Sequence, residues 1–158
     1  RYASPKPHHS RRGLTQVLDR RNNLPGGRMY IPPGFGTVTP YFFANRAETL
    51  VEFLVQAFGG EEVLRSKMPD GRIANAQIRI GETTVMVSEA GGRYPPSRAA
   101  CYLYVEDADA IMSRALAAGG SEEMKVEDMP YGDRQGGIRD PHGNIWWVSQ
   151  RLVEEPYS

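Results

Sequence analysis

Hydrophobic and polar positions change rhythm several times along this chain, and each change marks an element. Leu50, Val51, Phe53, Leu54, Ala57 and Phe58 recur at helical spacing, which predicts a helix over Ala47–Phe58 that Gly59-Gly60 stops. Ahead of it Thr37–Ala44 (TVTPYFFA) reads as a strand. Behind it come strands at Glu62–Met68, Ile73–Ile80 and Thr83–Glu89, parted by the turn signals Pro69-Asp70-Gly71 and Gly81-Glu82. After a looser stretch, Ala90–Arg98, the order repeats. Ala99–Glu106 alternates Tyr102 and Tyr104 with Cys101, Leu103 and Val105. Asp107 is placed to cap a helix through Ala118, with Ile111, Met112, Ala115 and Leu116 inward, and Gly119-Gly120 ends it. Strands follow at Glu123–Met129, Asp133–Arg139 and Asn144–Gln150. The chain therefore carries two βαβββ units, 37–90 and 99–151, and an internal repeat constrains architecture more than any single propensity. Each unit's sheet has one face for its own helix. The other face needs the second unit or another chain.

The hairpin Tyr131–Arg151 carries the sharpest local pattern. A Gly136-Gly137 break precedes the turn Asp140-Pro141-His142-Gly143-Asn144, where Pro fixes φ and Gly tolerates a positive one. The run Ile145-Trp146-Trp147-Val148 then sets two adjacent tryptophans on opposite faces of one strand. Trp146 is expected in the core between sheet and helix, and Trp147 beside a second apolar space.

Charge changes the picture only at the N-terminal end. The net formal charge is zero, but residues 1–28 hold seven Lys or Arg and one acid, Asp19, leaving twelve basic and eighteen acidic residues beyond. Residues 1–36 read as a basic arm. It has no apolar period over 1–12, enough Leu and Val near Leu14–Leu18 for a turn or two of helix, and breakers through 22–36. The arm is either a loose tail or a strap on a partner subunit. Residues 152–158 form a C-terminal tail.

Composition, 40% hydrophobic and 24% charged, suits a globular domain. No run reaches the roughly eighteen apolar residues that a membrane helix needs, and no secretory leader is evident. A single cysteine, Cys101, fits a cytoplasmic location. A neutral chain gives no ground for nucleic acid as a partner.

The paired units, with AFGG closing the first helix and with YLYVEDADAIMSRALAAGG, MPYGDRQGGIRDPHGN and IWWVSQ in the second, resemble the vicinal oxygen chelate superfamily in its glyoxalase and bleomycin-resistance branch. The resemblance spans Thr37 to Arg151. It implies an α+β fold in which two βαβββ modules form a cupped, mostly antiparallel sheet with helices on its outer face, and it implies a homodimer in many members. Enzymes of the superfamily hold a divalent metal through His and Glu on the cup. Here those positions fall at Thr39, Met86, Ala100 and Trp147, with Asn75 where a related branch has His, and none of these is a good ligand. His8, His9 and His142 lie in the arm and the turn, so no metal and no cofactor is expected.

If those positions face the cup, strand alternation brings Tyr41 and Phe43, Asn75, Gln77 and Arg79, Thr84, Met86 and Ser88, Tyr102 and Tyr104, and Trp147 and Ser149 to the same face. Aromatic rings with a few hydrogen-bonding groups suit a small-molecule pocket. The same residues could equally fill the cup. Asp133 and Arg134 fit either a surface ion pair or a contact at the rim. Tyr41, Tyr102, Tyr104 and Glu89 are candidate acids or bases, though none has a visible partner. Cys101, facing the helix, is expected to be inert. The leading expectation is a metal-independent protein binding a planar or aromatic ligand through Tyr41, Phe43, Asn75, Gln77, Arg79, Met86, Tyr102, Tyr104 and Trp147, with a sequestration or resistance role. A lyase, isomerase or dioxygenase-like enzyme of the same fold, or a fold kept only for dimerisation, are the alternatives.

Overall fold

A computed structural model describes residues 30–158. Of the basic arm read over 1–36, residues 1–29, with His8, His9 and the stretch near Leu14–Leu18, lie outside the described residues.

Two modules follow one another with the same order of elements. The first holds β1 (Tyr41–Ala44), α1 (Ala47–Phe58), β2 (Glu61–Lys67), β3 (Ile73–Ile80) and β4 (Thr83–Glu89). The second holds β5 (Ala100–Tyr104), α2 (Ala108–Ala117), β6 (Ser121–Asp128), β7 (Asp133–Arg139) and β8 (Ile145–Arg151). Each module forms a four-stranded sheet, in the order β1-β4-β3-β2 and β5-β8-β7-β6. In each, the first strand runs parallel to the last and the other pairings are antiparallel. The eight strands of the expected cup are thus present as two sheets, and no described strand of one pairs with the other.

Local chemistry explains where the elements begin and end. The first strand starts at Tyr41 and not at Thr37, because Pro40 has no N–H for the ladder; its carbonyl accepts from Met86 instead. Arg46, before α1, sits in the left-handed region at φ 56°, and its side chain caps nothing. The Glu89 carboxylate, at the end of β4, takes that place by accepting from the N–H of Arg46 (2.7 Å) and of Ala47 (2.9 Å). Gly59, at φ 67°, closes α1 as its sequence position suggested. Asp107 caps α2 by accepting from the N–H of Ala110 at 3.0 Å, also as expected. Gly136 and Gly137 are not a break. They lie inside β7, where side chains from β6, α2 and β8 crowd the place of a Cβ.

The helix-facing sides of both sheets meet in one core. Phe42 of β1 and Phe58 of α1 each pack against Trp146 of β8, with ring centroids 5.6 and 5.0 Å apart. The two helices pack on each other, and Arg114 Nη2 on α2 donates to the Gln56 carbonyl on α1. Trp146 is buried, as its position in the alternation required, and its Nε1 donates to Asp140 at 2.9 Å. No helix among the described residues is long and apolar enough to cross a membrane.

Candidate functional site

With α1 and α2 covering one side of each sheet, the side chains on the other side are left to solvent. On the first sheet these are Tyr41 and Phe43 from β1, Asn75, Gln77 and Arg79 from β3, and Met86 from β4. Tyr41 is 45% exposed, and its ring lies 4.8 Å from that of Phe43. Phe43 stacks in turn on Tyr94 from the loop after β4, with centroids 5.2 Å apart and planes tilted by 10°. Beneath the rings runs a polar chain. The Tyr41 hydroxyl is 2.7 Å from Ser88 Oγ and accepts from Asn75 Nδ2 at 3.5 Å, and Gln77 Nε2 donates to Asn75 Oδ1 at 3.3 Å. Arg79 stands apart. Its guanidinium lies against Gly34, where an added Cβ would come within 2.2 Å of Nη2, and Thr84 ties the same glycine's carbonyl to β4 at 2.6 Å.

On the second sheet the uncovered face holds Tyr102 and Tyr104 from β5 and Trp147 from β8. The two tyrosine rings are 5.4 Å apart, and Tyr102 is registered beside Trp147 across the parallel pair. The indole of Trp147 lies half-buried on Gly137. Gln135 Oε1 accepts from both the Tyr102 and Tyr131 hydroxyls. Burial, with the Tyr131 hydroxyl beside it, pushes the Tyr102 phenol up to about 12, so it stays protonated at neutral pH.

The structure therefore divides the anticipated ligand residues into two groups. Among the described residues no hydrogen bond, ion pair or ring contact joins Tyr41, Phe43, Asn75, Gln77 and Met86 to Tyr102, Tyr104 and Trp147 within one chain.

Several residues take roles that differ from the sequence reading. Glu89, read as a candidate acid or base, has both carboxylate oxygens taken by the N–H groups of Arg46 and Ala47 at the start of α1. Asp133 and Arg134 point to opposite faces of β7 and do not pair. Arg134 binds Asp109 and Asp128 on the helix side. The Asp133 side chain is wholly buried and accepts from Arg151 Nη1 (2.8 Å), Ser149 Oγ (2.7 Å) and the Tyr157 hydroxyl. Burial raises its carboxyl, but those three donors outweigh burial and hold it below the usual carboxylate range. His142 leaves the solvent-facing place expected of a turn residue, because its Nε2 reaches Thr49 Oγ1 on α1 at 2.6 Å. Cys101 is half-buried, and burial raises its thiol, as suits an inert cysteine.

Gln135, Tyr131 and Tyr157 went unassigned in the sequence, and Asp133 was read only as a surface or rim residue. Continuing the Trp147 and Ser149 alternation across the hairpin would have placed Gln135 opposite Ser149 and Asp133 opposite Arg151. Nothing in the sequence pattern signals that Tyr157 folds back onto the same face.

The donor set does not fit a divalent metal. Met86, Ala100 and Trp147 carry no hard N or O ligand, and among the described residues no three His, Cys, Asp or Glu side chains gather to hold one.

Comparison with known proteins agrees with this fold. Residues 35–148 match the family model of the Glyoxalase/Bleomycin resistance protein/Dioxygenase superfamily. An uncharacterised protein of Mycobacterium bovis is 34% identical over 128 residues, covering 74% of this chain and 84% of its own length. One from Mycobacterium tuberculosis is also 34% identical over 128 residues, covering 74% of this chain and 75% of its own length. Among solved structures, TioX from Micromonospora sp. ML1 is similar at 28% identity with a TM-score of 0.61, covering 73% of this chain and 96% of that one. TnmS3, an antibiotic binding protein from Streptomyces sp. CB03234, has the same fold at 22% identity and a TM-score of 0.56, covering 73% of this chain and 97% of its own.

Proposed function

The chain belongs to the glyoxalase, bleomycin resistance protein and dioxygenase superfamily, and from that premise we propose that it binds a planar or aromatic small molecule, without a metal, in a cup completed by a second copy. One observation carries this reading. Each sheet leaves a face of tyrosines and phenylalanine or tryptophan uncovered, with hydrogen-bonding side chains at the base of the rings. Tyr104 is 58% exposed and Tyr102 46%. Exposed aromatic faces of this kind mark binding surfaces.

Two parts of the face divide the work. The first-sheet group supplies Tyr41 and Phe43 for stacking, with Asn75 and Gln77 to orient a polar substituent. The second-sheet group supplies Trp147, Tyr102 and Tyr104. A homodimer that sets the first face of one copy against the second face of another would bring the groups together and hide the rings from water. The antibiotic binding named for TnmS3 suits such a face, and sequestration or resistance is the role proposed here. A free thiol at Cys101 fits the cytoplasm as its place.

The chemistry required is binding alone. Tyr102 is held protonated, and Cys101 faces the core. Arg79 is exposed beside Gly34, where its guanidinium would meet an anionic substituent of the ligand.

Calorimetric titration with a panel of planar aromatic compounds, compared between the protein and Trp147→Ala, tests the reading. Loss of affinity by up to roughly tenfold is expected, since an aromatic pair is worth about 0.5–1.5 kcal/mol beyond the area it buries. Unchanged affinity in the variant would remove Trp147 from the site.

A further inference from the structure

Residues 152–158 form no strand or helix, yet they return to the uncovered face of the second sheet. Leu152 N donates to the Gly132 carbonyl, and Arg151 Nη2 donates to the Glu155 carbonyl. Beyond Glu155 the described contacts of the tail are those of one side chain, Tyr157. Its hydroxyl donates to the buried Asp133 carboxylate and lies 3.1 Å from the Tyr104 hydroxyl. The Arg151 guanidinium sits over its ring at 4.2 Å from the centroid, and the Tyr131 ring meets it edge-on at 6.1 Å.

Every group that receives this phenol belongs to the framework and not to the tail. Tyr104 is on β5, Asp133 on β7, Arg151 on β8, and Tyr131 in the β6–β7 turn. Arg151 and Ser149 each bind Asp133 through contacts of their own, separate from the one Tyr157 makes. The receiving site is therefore preformed and has an aromatic occupant already.

Resting on the binding reading above, we propose that this corner of the second-sheet face is a phenol subsite, filled in the free protein by the chain's own Tyr157, which a hydroxylated aromatic ligand enters by displacing the tail. The chemistry of the corner selects that class. Asp133 is ionised and buried, so the group that meets it must donate a hydrogen bond. An anionic substituent is repelled. A cationic amine is disfavoured by Arg151, whose guanidinium is 2.8 Å from the same carboxylate. A neutral hydroxyl satisfies both, and the Arg151 guanidinium favours an aromatic ring beneath it. Tyr157 is itself half exposed, so it closes the subsite loosely enough to be displaced.

Displacement taxes the ligand by the fraction of time the tail is open. Freeing the corner should therefore tighten binding of a small phenol. The test uses p-cresol, the tyrosine side chain without its backbone, and toluene, the same ring without the hydroxyl. Both are titrated into the full chain and into Tyr157→Ala. The readout is the Arg151 Nε–H resonance, which sits in the ring current of Tyr157, together with the Trp147 indole N–H.

In Tyr157→Ala the Arg151 signal should move to the position of an unstacked guanidinium. p-Cresol should return it toward its original place, binding about tenfold more tightly than to the full chain. Toluene should leave it unmoved. Equal affinity for p-cresol with and without Tyr157, or a toluene response as strong as that to p-cresol, overturns the subsite. If Arg151 stays unmoved while the Trp147 signal still responds to larger aromatic compounds, the phenol subsite is wrong and the binding reading survives. If neither signal moves in either protein with any compound, both fall.

Discussion

Gly137 and Trp147 face each other across the β7–β8 pair so closely that a Cβ on Gly137 would lie 2.7 Å from the indole ring. The glycine is thus the seat of the tryptophan, and the second-sheet face owes its flat aromatic floor to a missing side chain.

Gly137→Ala should lift or turn the indole. Overpacking of this kind costs about 1–3 kcal/mol. A shift in urea midpoint together with altered Trp147 accessibility to acrylamide is expected. A variant with wild-type stability and quenching would mean that the indole is not seated there.

Asp140 organises the turn before β8. Its buried carboxylate accepts from His142 N (2.9 Å), Asn144 N (3.0 Å), Asn144 Nδ2 (2.8 Å) and Trp146 Nε1 (2.9 Å). Asp140→Ala leaves several buried donors without an acceptor, at about 3 kcal/mol or more. Equilibrium unfolding measures the loss. The near-ultraviolet dichroism of Trp146 should weaken with it.

His142 sets a pH dependence. Thr49 Oγ1 donates to the Arg46 carbonyl at 2.9 Å, so the bond between Thr49 and His142 has the ring Nε2–H as its donor. Burial of the ring, opposed by Asp140, lowers its pKa below the ordinary value. A histidine that protonates more readily when unfolded gives stability that is present above the unfolded value of about 6.5 and fades as pH falls below it. Between pH 7.5 and 5.5 the urea midpoint of the protein should fall, and that of His142→Gln should stay flatter. Equal slopes in the two proteins would rule out the histidine as the source.

Which of these features the sequence discloses follows from how far each interaction reaches. The helices, their glycine stops, the Asp107 cap and the burial of Trp146 rest on neighbours a few residues apart, and periodicity reports them. The uncovered face also follows from alternation, since Trp147 opposes Trp146 on one strand. What alternation cannot report is the partner that meets a face. Glu89 reaches α1 across more than forty residues of chain, and Tyr157 reaches Asp133 from an irregular tail. Both are short polar contacts that leave no period. Asp133 beside Arg134 reads as an ion pair only while the strand is imagined without its two faces. The separation of the aromatic residues into two groups is likewise a matter of how modules pack, which the repeat itself leaves open.

The most direct test of a cup shared between copies uses two crippled chains. Tyr41→Ala removes a ring from the first-sheet face and Trp147→Ala one from the second, and each variant alone should bind an aromatic ligand weakly. Co-expressed, they should form mixed dimers in which one cup carries both defects and the other carries none. By that symmetry about one quarter of the sites should bind at full affinity, as read by calorimetric stoichiometry. A mixture that binds no better than either variant alone would contradict the account and place the whole site within one chain.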